Sequence, residues 1–341
     1  NGGKRDRKGR IMKMPIIRRL VTAFALMCGL NAATAAETIT YGSLPDPGYD
    51  AVVWAIENGK VSDPNVTLKI ERVSSIPALM QAAMTQQFNL MPNGVLSLPQ
   101  MRESGLKVKV LSTLLRYHPE GHSADIWVMP NSPYKTIQDL KGKTIAVVSG
   151  ESQVVISVRW AISERFGMNA DLVGGDFRWV EMPQAPFEAA LQSGRVDAAQ
   201  FNLVPSYSAT KDGKYRSVLQ GSKELDKMFG GPMPSNLLFG YEDDMNKRPE
   251  AYVAVGKLLK ASAGYVLKHP DEVFAAVAPK YKMSKDDLQT WFLTYAQMPM
   301  SVGPTDKSVM MKAWQIGLKT GMLKKMPDSA DELMWSKAIM Q

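Results

Sequence analysis

Short strand-like runs alternate with helical stretches through the first two thirds of this chain, and that alternation constrains its fold more than any other feature. Thr38–Gly42 reads as a strand, followed by a helix over Asp50–Asn58. Val66–Val73 sets Val66, Leu68 and Ile70 against Thr67, Lys69 and Glu71, the two-residue period of a half-buried strand. Ser74 and Ser75 then offer N-caps for a helix over Ala78–Thr85. Phe88–Met91 reads as a short strand, Pro92-Asn93-Gly94 as a turn, Leu98–Glu103 as a helix and Val108–Leu115 as a strand. A second cycle predicts strands at Asp125–Met129, Thr144–Val148, Arg178–Glu181 and Ala198–Phe201, with helices over Ser152–Phe166 and Phe187–Ser193. The alternation predicts an α/β fold with mostly parallel sheets.

After Asn236–Tyr241 the pattern turns helical, over Pro249–Lys268, Asp271–Tyr281, Lys285–Tyr295 and Lys307–Lys319. Two Pro/Gly-bearing stretches, Tyr117–Ser123 and Gly230–Pro234, interrupt the cycles and read as crossings between two lobes. The expected organisation is a leader over 1–35, a first lobe from 36–117 and 234–341, and a second lobe over 118–233. Loops at the carboxyl ends of the strands would then face an interlobe cleft, where open α/β sheets bind ligands.

Composition removes several functions. The 341 residues carry 41 Lys+Arg against 33 Asp+Glu, a formal charge of +8 that hints at nucleic acid. Residues 1–35 hold eight of those bases and one acid, Asp6, which leaves 33 against 32 in the remainder. A basic footprint must sit on the folded domain to grip phosphates, so no nucleic-acid partner is expected. Lys13, Arg18 and Arg19 precede the apolar run Leu20–Leu30, and Ala33-Thr34-Ala35 follows, the layout of a secretory signal cleaved before Ala36. Residues 1–11 precede the first Met, Met12, and read as upstream sequence. Cys28 is the only cysteine, so the exported chain would have neither a disulfide framework nor thiol chemistry.

Several segments point to a known family. Asp139-Leu140-Lys141-Gly142-Lys143-Thr144-Ile145-Ala146-Val147 resembles the D-L-K-G-K-x-[IV]-A-V segment of periplasmic solute-binding proteins. Leu191-Gln192-Ser193-Gly194-Arg195-Val196-Asp197-Ala198 resembles their A-L-x-x-G-x-V-D-A segment. Lys268-His269-Pro270-Asp271-Glu272 and Ser284-Lys285-Asp286-Asp287-Leu288 are similar to parts of their C-terminal helices. The likeness spans roughly 38–325 and is greatest to the sulfonate, nitrate, taurine and thiamine-precursor binding proteins of ABC importers. It implies a two-lobed, type II periplasmic-binding-protein-like α/β fold with a hinge and a C-terminal helical extension. It implies capture of a small organic ligand by hinge closure and delivery to a membrane permease and ATPase; the alternatives are a periplasmic sensory binding protein for a receptor and, less favoured, an enzyme on the same scaffold. One departure stands out: Gln86-Gln87-Phe88-Asn89 replaces the G-x-[IV]-D segment usual in the first lobe. Relatives that make a thiamine precursor use a cysteine-rich segment, which this chain lacks.

The candidate ligand residues lie at strand ends. Ser149, Gly150 and Ser152 form a loop between a strand and a helix start, where free N–H groups favour an anionic or acceptor-rich group. Glu151 beside them would oppose a multiply charged anion. Pro47 and Tyr49 follow the first strand; Tyr49 either lays its ring against ligand or packs locally. Ser75 caps the next helix, Asn93 and Gly94 follow the third strand, and Asn202 follows Phe201. The expected ligand is a sulfonate- or carboxylate-like anion, or a heteroaromatic such as a thiamine precursor. Arg116 and Arg159 would favour the anion if either faced the cleft.

His118 and His122 have helical metal spacing, but Pro119 and Gly121 between them argue against a helix, so no metal site is expected. Nineteen methionines fall outside 1–35 without M-x-x-M clustering, which suits core packing. The sequence has no nucleophile elbow, H-E-x-x-H or phosphate loop. A non-enzymatic, periplasmic, monomeric protein without cofactor is the resulting expectation.

Overall fold

The computed structural model describes residues 36–211 and 213–341. The expected leader over 1–35, with Met12, Cys28 and the expected cleavage position, lies outside these residues. In chain order, the first stretch comprises β1 (Glu37–Ser43), α1 (Pro47–Glu57), β2 (Val66–Arg72), α2 (Ile76–Met84), β3 (Leu90–Gly94), α3 (Ser97–Glu103) and β4 (Val108–Tyr117). Then follow β5 (Ile126–Val128), β6 (Thr144–Val147), α4 (Gln153–Phe166), β7 (Arg178–Glu181), α5 (Phe187–Gln192), β8 (Ala198–Gln200), α6 (Leu203–Ser208), β9 (Arg216–Leu219) and α7 (Gly221–Phe229). The last stretch holds β10 (Pro234–Tyr241), α8 (Glu242–Lys247), α9 (Pro249–Lys268), α10 (Pro270–Val277), α11 (Lys285–Thr294), β11 (Ala296–Gln297) and α12 (Pro304–Lys319).

Two sheets organise these elements, in the orders β11-β4-β10-β3-β1-β2 and β7-β6-β8-β5-β9. Both are mixed, which corrects the expectation of mostly parallel sheets. In the first sheet β1 pairs parallel with β2 and β3, whereas β10 runs antiparallel to both β3 and β4. In the second, β6 is parallel to β7 and β8, and β5 antiparallel to β8 and β9. The cause is connectivity: the chain leaves the first sheet along β4 and re-enters it along β10, so the returning strand runs opposite to its neighbours. The two crossings therefore lie side by side, with Tyr117 N donating to Met233 O at 2.9 Å.

Several boundaries moved. The first helix begins at Pro47, not Asp50, because Asp46 Oδ1 accepts from Gly48 N (2.8 Å) and Tyr49 N (3.1 Å) while proline suits the first helical turn. The expected turn at Pro92-Asn93-Gly94 is the end of β3, which is buried throughout. Proline is tolerated in this inner strand because β1 pairs with β3 only at Leu90, so no partner there awaits an N–H from residue 92. The elements α6, β9, α7, α8 and β11 were not expected; most are very short, whereas α7 does carry a helical period, burying Ser222, Leu225 and Phe229 on one face.

The C-terminal elements do more than extend the first lobe. The helix α12 packs against α7 and β10 together. Its Trp314, fully buried, donates from Nε1 to Val95 O at 2.8 Å, and Lys312 Nζ donates to Phe229 O at 2.6 Å. The final residues lie along β4: Val110 N donates to Leu333 O and Trp335 N to Val110 O, so the strand's free edge is covered. Among the described residues no helix is long and apolar enough to cross a membrane.

Candidate functional site

A cavity of about 640 Å³ opens between the two sheets, walled from both sides. The first lobe supplies Leu44–Asp46 and Tyr49, the α2 start at Ser74–Pro77, Asn93 and Gly94 at the end of β3, and Tyr117, Ser235 and Asn236 beside the crossings. The second supplies Ser149, Glu151–Val154, Glu181–Pro183, Asn202 and Leu203. Of the nine residues singled out from sequence, Tyr49, Ser75, Asn93, Gly94, Ser149, Ser152 and Asn202 line this space. Pro47 sits buried in the first turn of α1 instead, and Gly150 is buried beside the wall.

Local capping explains several of these positions. Ser75 Oγ accepts from Ala78 N, and Ser152 Oγ accepts from Val155 N while donating to Ser149 O. Gly94 meets the second lobe closely: a Cβ there would lie 2.5 Å from Gln153 Oε1 of α4, which itself receives Leu96 N at 3.4 Å. Leu203 is held at φ +38°, a left-handed conformation unusual for leucine, at the start of α6 in the cavity wall. Asn202 Oδ1 is buried without a hydrogen-bond partner.

The loop expected to cradle an anion is already engaged. Gly150 N donates to Glu181 Oε1 at 2.6 Å, Glu151 N to Ser149 Oγ at 3.3 Å, and Ser152 N to Ser149 O at 3.2 Å. Three backbone donors of this loop are thus taken up by the chain's own carboxylate, hydroxyl and carbonyl. The two arginines in question point elsewhere too. Arg116 forms a bidentate pair with Asp306 at 2.6 Å on each arm, and Arg159 Nε donates to Ala170 O at 2.7 Å.

Sequence reasoning missed Asp46, Tyr117, Gln153, Glu181, Ser235 and Asn236. Asp-Pro-Gly before an apolar run is a helix-start signal that marks Asp46; Glu181 ends a strand, the same criterion that selected Asn93. Burial, reinforced by nearby Asp50, pushes the Asp46 carboxyl up to about 6 despite hydrogen bonds from Tyr49 N and Gly48 N. Burial also pushes the Tyr49 and Tyr117 hydroxyls up.

The Asp46 shift has a testable sign. A carboxyl whose folded pKa exceeds its unfolded value of 3.8 keeps its proton in the fold after the unfolded chain has lost it. Stability from this group is fully present below that value and declines as pH rises to about 6. Asp46→Asn retains a good N-cap acceptor. It should therefore melt above the wild type near neutral pH and lose that advantage near pH 4, as thermal melts at both pH values would show.

Two α/β lobes, paired crossings and a cleft between the sheets define a type II periplasmic-binding-protein fold. The chain belongs to the NMT1/THI5 like family, whose model matches residues 70–273. No curated protein matches the sequence. Among solved structures, the chain is similar to the periplasmic aliphatic sulphonate binding protein SsuA from Escherichia coli, at 15% identity and TM-score 0.67 over 89% of this chain and 94% of that one. The alkanesulfonate-binding protein SsuA from Xanthomonas axonopodis pv. citri, bound to MOPS, gives 17% identity and TM-score 0.66 over 88% and 99%. A protein from Archaeoglobus fulgidus gives 17% and 0.67 over 84% and 98%.

Proposed function

We propose that this chain is the solute-binding component of an ABC importer, exported to the periplasm and acting without catalysis. It captures a small organic solute between its lobes, and a permease–ATPase complex receives the closed form. The observation that carries this reading is the cavity whose walls come from both lobes on either side of paired crossings. A ligand touching both walls gains contacts in the closed state that an open state cannot offer, so binding drives closure. Among the described residues no group of three or more His, Cys, Asp or Glu is placed to hold a metal.

The ligand classes considered from sequence do not fit equally. A sulfonate- or carboxylate-like anion finds no basic side chain among the described residues lining the cavity. The largely apolar walls (Leu44, Ile76, Leu79, Met80, Val154, Met182) suit a compact organic body such as a heteroaromatic ring.

A thermal-shift screen of residues 36–341 against amines, pyrimidines, aromatic carboxylates and sulfonates tests the reading. A true ligand at 100 times its Kd adds about 2.7 kcal/mol of stability. Recovery of a chemically altered compound would refute the non-catalytic role. Gly94→Val should weaken any such ligand at least about tenfold, equivalent to about 1.4 kcal/mol. The added methyls displace Gln153 and hold the lobes apart, and calorimetric titration reads the loss.

A further inference from the structure

We propose that the interlobe cavity selects solutes bearing a cationic nitrogen, with Asp46 as its counter-charge on one wall and Glu151 and Glu181 on the other. The inference rests on the solute-binding reading and narrows its ligand by charge. Every ionisable group lining the cavity among the described residues is an acid or a phenol: Asp46, Glu151, Glu181, Tyr49 and Tyr117.

The nearby bases are committed or remote. Arg72 is shared by Asp50 and Glu57, and Arg116 is locked to Asp306. Arg195 touches Met182 Sδ at 3.8 Å but is exposed and does not itself line the cavity. Asp46 spends only Oδ1 on the α1 cap, and no hydrogen bond within the described chain engages its Oδ2. A desolvated carboxylate without a counter-cation is costly, and a ligand cation beside it recovers that cost.

The other polar groups agree with a donor on the ligand. Asn202 Oδ1 is a buried acceptor without a donor. Glu181 already accepts from Gly150 N through Oε1, so that backbone donor is taken up within the chain. An anion entering this space would meet three carboxylates and no free base, whereas a protonated amine or amidine meets acceptors on both walls.

Matched triads of one shape and different charge test this directly: benzamidine, benzamide and benzoate, together with benzylamine, benzyl alcohol and phenylacetate. Calorimetric titration of residues 36–341 should rank the cation at least about tenfold above its neutral and anionic partners. Asp46→Asn should sharply reduce that preference, while Arg195→Ala should leave it unchanged. Equal affinity across a triad, or preference for the anion, would overturn the charge assignment and leave the solute-binding reading standing. Failure of every triad to bind, with no solute recovered from protein purified from its source, would remove the solute-binding reading and this inference with it.

Discussion

Asp306→Ala is expected to cost about 3–5 kcal/mol of folding stability, because it strands a largely desolvated guanidinium and removes a fully buried carboxylate that serves several donors. Asp306 is fully buried at the start of α12, and its carboxylate serves four donors. Arg116 Nε and Nη2 reach it at 2.6 Å, Thr113 Oγ1 at 3.2 Å and Gly303 N at 2.8 Å. Removing it leaves Arg116 charged in a site where its side chain is only 14% exposed, and frees the first turn of α12 from β4. Urea denaturation of the single variants Asp306→Ala and Arg116→Ala, and of an Arg116→Met/Asp306→Leu double variant, separates the causes. Both single variants should lose more than the double, since an apolar pair leaves no unpaired charge. A loss below about 1 kcal/mol in Asp306→Ala would show that the pair does not hold the helix.

Trp314→Ala, two turns further along the same helix, should cost about 3–5 kcal/mol by a different route. The indole is fully buried in the core that joins the two sheets, and its N–H satisfies the Val95 carbonyl just beyond β3. Truncation leaves a large cavity and an orphaned acceptor together. Trp314→Phe should retain most of the packing and lose mainly the hydrogen bond, about 1 kcal/mol by urea midpoint. Both substitutions strain one helix, so combining Trp314→Ala with Asp306→Ala should cost less than the sum of the two.

Much of the architecture was legible because strand and helix periods survive in single segments. Val66–Arg72 shows its alternation openly, and Ser75, Ser152 and Ser284 cap the helices they precede. Strand direction was not legible, since nothing within Pro234–Tyr241 tells that it inserts between β3 and β4 rather than joining an edge. The cavity wall was legible as a set of strand ends and helix starts, and seven of nine candidates line it. Its electrostatics were not. Arg116 and Asp306 are 190 residues apart, and Glu181 reaches Gly150 across 31; only folding reveals that one pair commits a base and the other takes up a backbone donor of the Ser149–Ser152 loop.

The insertion of β10 between β3 and β4 also dictates an order of assembly. The second sheet draws on one uninterrupted run of chain, Ile126–Leu219, so it can form as soon as that run exists. The first sheet must hold a gap between β3 and β4 until Pro234–Tyr241 arrives, more than a hundred residues after β4 ends. Its free edge along β4 stays open until Leu333–Ile339 docks. Closing loops of that length before any contact rewards them slows the step. The topology thus favours closure of the inserted lobe ahead of the host sheet, which stays open until its last strand and C-terminal residues are in place.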